Sequence, residues 1–184
     1  MPVNFFTSRR RVCAGALAAA AALLLAGCDR QSASSKVYEM GEEIATGSLV
    51  YVVTQTTWAE QLEGPAGLRI PTNKFLMVNV TVKNAGRDAA GVPLLAVIDT
   101  GGKEYMELDK GDGVPQWLGA LRTLLAGASD SGNMLFDVPQ GTYKLRVSSG
   151  GDVEKESTAL VNMPYGVESG KTAPAYTLPT PPGK

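Results

Sequence analysis

The chain has no histidine and only two cysteines among 184 residues. Each shortage closes a class of chemistry. Without histidine there is no Ser-His-Asp catalysis and no imidazole, the commonest ligand for zinc and other transition metals. Walker and dinucleotide-binding glycine patterns are absent. Charge of one sign is also lacking: 17 Lys and Arg face 18 Asp and Glu, and no stretch is strongly basic. Nucleic acid therefore has no electrostatic footprint to meet. Neither a cofactor nor a metal ion is expected. Carboxylate chemistry is what remains for an enzyme.

What is present begins at the N-terminus. Arg9, Arg10 and Arg11 precede an Ala- and Leu-rich run from Val12 to Gly27, the charged and apolar regions of an export signal. As a helix that run would span about 24 Å, short of the roughly 30 Å hydrocarbon core. It ends in Leu25-Ala26-Gly27-Cys28. This resembles the lipobox of bacterial lipoproteins. The resemblance implies cleavage after Gly27, a diacylglyceryl group on the Cys28 thiol and an acylated new amine. The expected partner of Cys28 is therefore the membrane, with the domain facing the periplasm or exterior. Asp29 resembles an inner-membrane retention signal, a rule that varies between bacterial groups, so the choice of membrane stays open.

Removing residues 1–27 takes away Cys13 and three arginines, which leaves 14 basic against 18 acidic side chains and a net charge of −4. With Cys28 lipidated, no disulfide can form within one chain, and the core must hold the fold. Residues 28–37 are small and polar and read as a flexible tether. Residues 38–165 are long enough to bury a core of their own. Residues 166–184 carry Pro174, Pro179, Pro181 and Pro182 and read as a disordered tail.

Residues 38–165 carry a β pattern. Leu76, Val78, Val80 and Val82 alternate with Met77, Asn79, Thr81 and Lys83, which predicts one buried and one wetter face. Met134, Phe136 and Val138 alternate in the same way, as do Tyr143, Leu145 and Val147. Asn84-Ala85-Gly86 has the composition of a turn that ends a strand. Gly101-Gly102 suits a two-residue hairpin, and Pro139-Gln140-Gly141 reads as a second hairpin link. Leu49–Val53 and Thr158–Asn162 are further strands, the faces of the first unassigned. Short strands at this spacing predict an all-β antiparallel sandwich. One segment departs from the pattern. Trp117, Leu118, Leu121, Leu124 and Leu125 fall on one helical stripe between Pro115 and Gly127. It reads as a short helix, either a lid on the core or an exposed docking surface presented by Trp117, Leu118 and Leu121.

Residues 75–86 (Phe75-Leu76-Met77-Val78-Asn79-Val80-Thr81-Val82-Lys83-Asn84-Ala85-Gly86), Asp99 to Tyr105, Leu125-Ala126-Gly127, Gly132 and Phe136-Asp137-Val138-Pro139 follow one another in an order similar to the bacterial telokin-like domains of unknown function, related to the mycobacterial immunoprotective extracellular protein. The resemblance implies an immunoglobulin-like β-sandwich on a secreted protein or lipoprotein, and brings no catalytic residues.

The carboxylates are the remaining candidates for chemistry. Glu42 and Glu43 are neighbours that a strand would send to opposite faces. Glu107, Asp109 and Asp112 cluster around Lys110 without the spacing of an EF-hand, and read as a polar loop. Ser129, Asp130 and Ser131 read as a turn. Tyr51, Trp58 and Tyr105 are either core or the wall of a ligand groove. The expected function is a lipid-anchored, non-enzymatic binding or scaffolding module of the cell envelope, with an envelope protein or other envelope ligand as partner. The alternative is an envelope hydrolase with two carboxylates facing one cleft.

Overall fold

A computed structural model of the chain describes residues 36–151 and 155–168. In chain order the strands are β1 (Val37–Glu39), β2 (Ile44–Thr46), β3 (Leu49–Ala59), β4 (Leu62–Gly64), β5 (Gly67–Arg69), β6 (Lys74–Asn84), β7 (Ala90–Val92), β8 (Ala96–Asp99), β9 (Glu104–Met106), β10 (Arg122–Leu124), β11 (Ser129–Val138), β12 (Tyr143–Ser148), β13 (Thr158–Met163) and β14 (Val167–Glu168). No helix occurs among the described residues.

Two five-stranded sheets pack face to face. One runs β1-β13-β12-β8-β9, and the other β11-β6-β3, with β2 and β14 along the second edge of β3. Pairing is antiparallel except for β1 with β13 and β14 with β3. The main core lies between the sheets: Leu76, Val78, Val80 and Val82 from β6 and Met134, Phe136 and Val138 from β11 meet Val97, Leu145, Val147 and Val161. This is the all-β sandwich that the alternation predicts, and its two-sheet architecture fits an immunoglobulin-like domain. β14 lies inside the segment read as tail, just past residue 165.

In β3 the inward set is Leu49, Tyr51 and Val53, and then Thr56 and Trp58. The parity changes because Thr54 is an extra residue between the paired Val53 and Gln55, a β-bulge that turns every later side chain over. The Thr54 hydroxyl donates to the Asn79 side-chain oxygen at 2.7 Å.

One expectation fails on the outer face of the β11-β6-β3 sheet. Met77 and Leu135 occupy the positions expected to be wetter, yet both are buried in a second small core with Phe75, Ala59, Leu62 and Val114. The segment after β9 makes this possible by running along the open edge of β11. Leu108 N–H donates to Leu135 O, Asn133 N–H to Gln116 O, and Leu118 N–H to Asn133 O, at 2.8, 2.8 and 3.1 Å. An edge that would otherwise invite another chain is thereby covered.

Trp117 to Leu125 is not a helix. Trp117 bridges Asn133 in parallel, Gln116 and Gly119 have φ of 48° and 83°, and Arg122–Leu124 pairs antiparallel with β7. A helix of about ten residues is marginal on its own, and the β pairing supersedes it. The stripe is therefore dispersed. Trp117 is half-buried against the second core, Leu118 and Leu124 enter the main core, and Leu121 and Leu125 face solvent. Trp117 lies so close to Gly111 that a Cβ there would fall 1.9 Å from the indole ring.

Three turn readings also change. Pro139-Gln140-Gly141 does not close a hairpin, because β11 pairs with β6 and β12 with β13 and β8; the link carries the chain from one sheet to the other. The β8–β9 hairpin stands, but its loop has three residues: Asp99 N–H donates to Lys103 O at 3.0 Å, and Gly102 takes the positive φ of 85°. Ser129-Asp130-Ser131 is the start of β11 rather than a turn.

Asp137 anchors the β5–β6 connection. Its carboxylate accepts the backbone N–H of Thr72 at 2.7 Å and of Asn73 at 2.8 Å. Burial pushes its pKa up, but these N–H groups outweigh burial and hold it below the ordinary 3.8. A depressed carboxyl contributes stability that is full above its unfolded pKa and lost as pH falls through its folded pKa. Asp137→Asn should therefore be less stable than wild type at neutral pH, and the difference should shrink below about pH 4. Urea unfolding across pH 2–7 measures it.

Candidate functional site

A concavity of 760 Å³ lies beside the β7–β10 ribbon. The pairing register sends Arg122 and Val92 inward and leaves Thr123 and Gly91 outward as a cross-strand pair. Gly91 contributes no side chain, so main chain is bare there. Pro93 and Leu94 form one wall, Gly150 and Gly151 another. A Cβ on Gly150 would lie 3.3 Å from the Pro93 ring, so that wall stands directly against β7. Ala120 and fully exposed Leu121 belong to the β10 side, and Asp109 completes the lining.

Behind this cleft lies a buried ion pair. Arg122 Nη2 donates to Glu107 Oε2 at 2.8 Å and to Pro93 O at 3.1 Å. The Leu95 N–H donates to the same carboxylate oxygen at 3.1 Å. The side chains are 4% and 0% exposed. The pair thus ties β10, the loop after β9 and the Pro93 wall together. Burial raises the Glu107 pKa, opposed by Arg122 and the Leu95 N–H. Glu107 Oε1 and Arg122 Nε and Nη1 have no hydrogen-bond partner among the described residues, so the pair is a costly feature to bury. Tyr51 borders it. Its hydroxyl donates to Ser148 O at 2.7 Å, and burial, less an opposing effect of Arg122, holds its pKa far above the usual tyrosine range.

A smaller pit of 230 Å³ lies at the end of the other sheet, where Ile98, Lys144, Met163 and Pro164 surround Tyr143. The Tyr143 hydroxyl donates to Pro139 O, and burial, with Tyr105 and Asp99 adding to it, pushes its pKa up to about 12. Tyr105 packs on Tyr143 edge-on, with centroids 6.0 Å apart. Tyr51 and Trp58 are core residues, so these aromatics line no groove together.

The sequence of residues 38–157 matches the family described as "Domain of unknown function (DUF4352)". The chain belongs to this family. Among solved structures, the DUF4352 domain is similar to the yjhA protein of Bacillus subtilis, 18% identical, with 69% of this chain and 99% of that one covered and a TM-score of 0.53. It is also similar to MPT63, a secreted protein of Mycobacterium tuberculosis, 17% identical, covering 72% of this chain and 100% of that one with a TM-score of 0.52. At these identities the likeness shows a shared fold. No curated protein matches the chain. The resemblance to an immunoglobulin-like domain of unknown function read from the strand motifs is borne out, and the mycobacterial secreted protein shares the fold.

Of the residues singled out in the sequence, Leu25, Ala26, Gly27 and Cys28 lie outside the described residues. Trp117 and Leu118 serve the two cores, and of the three docking candidates only Leu121 lines the cleft. Glu107 turns inward to Arg122, away from exposed Asp109 and Asp112. No group of three or more Cys, Asp or Glu among the described residues is placed to hold a metal ion. Arg122 was missed. Its signal was weak but legible: in Arg122-Thr123-Leu124 a charge takes the inward position that alternation reserves for an apolar residue, which demands a buried partner.

Proposed function

We propose that this DUF4352 domain is a lipid-anchored, non-enzymatic binding module of the bacterial cell envelope, and that its ligand occupies the cleft beside the β7–β10 ribbon. One observation carries the reading: the cleft is open and rimmed by fully exposed Leu121, yet poor in reacting groups. Among the described residues its lining offers one accessible carboxylate, Asp109, and one guanidinium, Arg122, already committed to Glu107. A paired-carboxylate hydrolase needs two acids on one cleft, roughly 5–10 Å apart. The nearest second acid along this loop, Glu107, is fully enclosed. Concave walls with few polar groups suit binding. The anchor rests on the Leu25-Ala26-Gly27-Cys28 pattern, and the short tether keeps the domain near the membrane.

Hydrogen exchange on the full-length protein, with and without a detergent extract of its own cell envelope, tests the cleft. Expected is slower exchange at residues 91–94 and 120–123, abolished in Leu121→Asp. Protection on the Lys144 face instead, or none anywhere, would remove the cleft from the proposal.

A further inference from the structure

Among the described residues, the cleft carries one charge without a partner, that of Asp109. Arg122 is compensated by Glu107 at 2.8 Å, and both are buried, so the pair contributes little net field. Asp109 is exposed, and no described residue bonds to it or pairs with it. Apart from the Thr123 hydroxyl and the engaged Arg122, the rest of the described lining is apolar or bare: Pro93, Leu94 and Leu121 on the walls, main chain at Gly91 and Gly151, where an added Cβ would meet nothing closer than 4.0 Å. A lone carboxylate beside low-dielectric walls focuses its field into the concavity. The glycines let an extended backbone approach the floor, and the walls receive apolar side chains. At 760 Å³ the cleft matches the size of ordinary ligand sites, enough for a few side chains rather than a whole domain.

We infer that the occupant is an extended peptide segment of an envelope protein that presents a Lys or Arg to Asp109 between apolar residues seated on Leu121 and the Pro93-Leu94 wall. The inference rests on the binding-cleft reading above and adds the chemistry of the ligand to it. Charge complementarity selects the cation, the bare main chain the extended form, and the walls the apolar flanks.

The test uses the full-length lipidated protein in zwitterionic nanodiscs and three fluorescein-labelled peptides, acetyl-Ala-Leu-Lys-Leu-Ala-amide and its counterparts with norleucine or Glu in place of Lys. Anisotropy titrations at low salt should rank Lys over norleucine over Glu, with the first step about fivefold, the size expected of one exposed charge pair. Asp109→Asn should erase the Lys-over-norleucine step, and Asp130→Asn, an acid outside the cleft, should keep it. Leu121→Ser should weaken the Lys and norleucine peptides alike. Equal binding of the Lys and norleucine peptides, or a Lys preference that survives Asp109→Asn, overturns the charge assignment and leaves the cleft reading standing. Binding of none of the peptides, while envelope extract still protects residues 120–123 from exchange, overturns the peptide assignment alone. Loss of both signals overturns the two together.

Discussion

Arg122→Ala is expected to lower the free energy of unfolding by about 3–5 kcal/mol, the cost of leaving a buried charge without its partner. Glu107 would then keep only the Leu95 N–H. The variant should also respond to pH in a definite direction. Glu107 already has a raised pKa through burial, and removing Arg122 takes away the main opposing influence. A carboxyl whose folded pKa lies above its unfolded value makes the folded state bind the proton more tightly. Its destabilisation is full above the folded pKa and is relieved as pH falls from there toward the unfolded value. The deficit of Arg122→Ala should therefore be smaller at pH 5 than at pH 8. A double variant, Glu107→Leu with Arg122→Met, should recover most of the loss, since apolar replacements of a buried pair are often neutral. Urea unfolding at the two pH values checks all three expectations. Because the pair holds the Pro93 wall against β10, Arg122→Ala should also speed hydrogen exchange at residues 91–95 more than at the β12–β13 pairing.

Cys28→Ala should move the protein from the membrane pellet to the soluble fraction and abolish labelling by radioactive palmitate. Each buried methylene contributes about 0.8 kcal/mol, and stable anchoring takes more than one chain. The variant therefore loses its attachment rather than weakening it, if the Leu25-Ala26-Gly27-Cys28 motif is used as proposed. The first strand begins at Val37, so the thermal unfolding midpoint should not change. Unchanged palmitate labelling would remove the lipid anchor.

How much of this molecule was legible in its sequence depends on how local each feature is. Strands β6, β11 and β12 announce themselves because period-2 alternation is set by each strand's own backbone. The inward residues of the sandwich follow from it directly. The bulge at Thr54 was not legible. One extra residue between Val53 and Gln55 reverses the faces of the rest of β3, and only the partner strand reveals it. The second core escaped for a related reason. Met77 and Leu135 are correctly placed on the outer face, but what covers them arrives from residues 108–118. Pro139-Gln140-Gly141 has hairpin chemistry, yet turn residues do not encode which sheet the next strand joins. The Trp117–Leu125 stripe shows the converse error. Its helical period is local, and pairing with distant Ala90–Val92 overrides it. The candidate site is the least legible feature, because Arg122, Glu107, Pro93 and Gly150 meet only through tertiary structure.

The measurement that bears most directly on the proposed function is photo-crosslinking in intact cells. The full-length protein would carry benzoylphenylalanine in place of Leu121 or, as a control, of Lys144, an exposed β12 residue outside the cleft. Expected is a discrete adduct from position 121, absent from 144 and diminished by Asp109→Asn. Adducts of equal yield from both positions, or none from 121 while the protein is folded and membrane-bound, would contradict a binding cleft beside the β7–β10 ribbon.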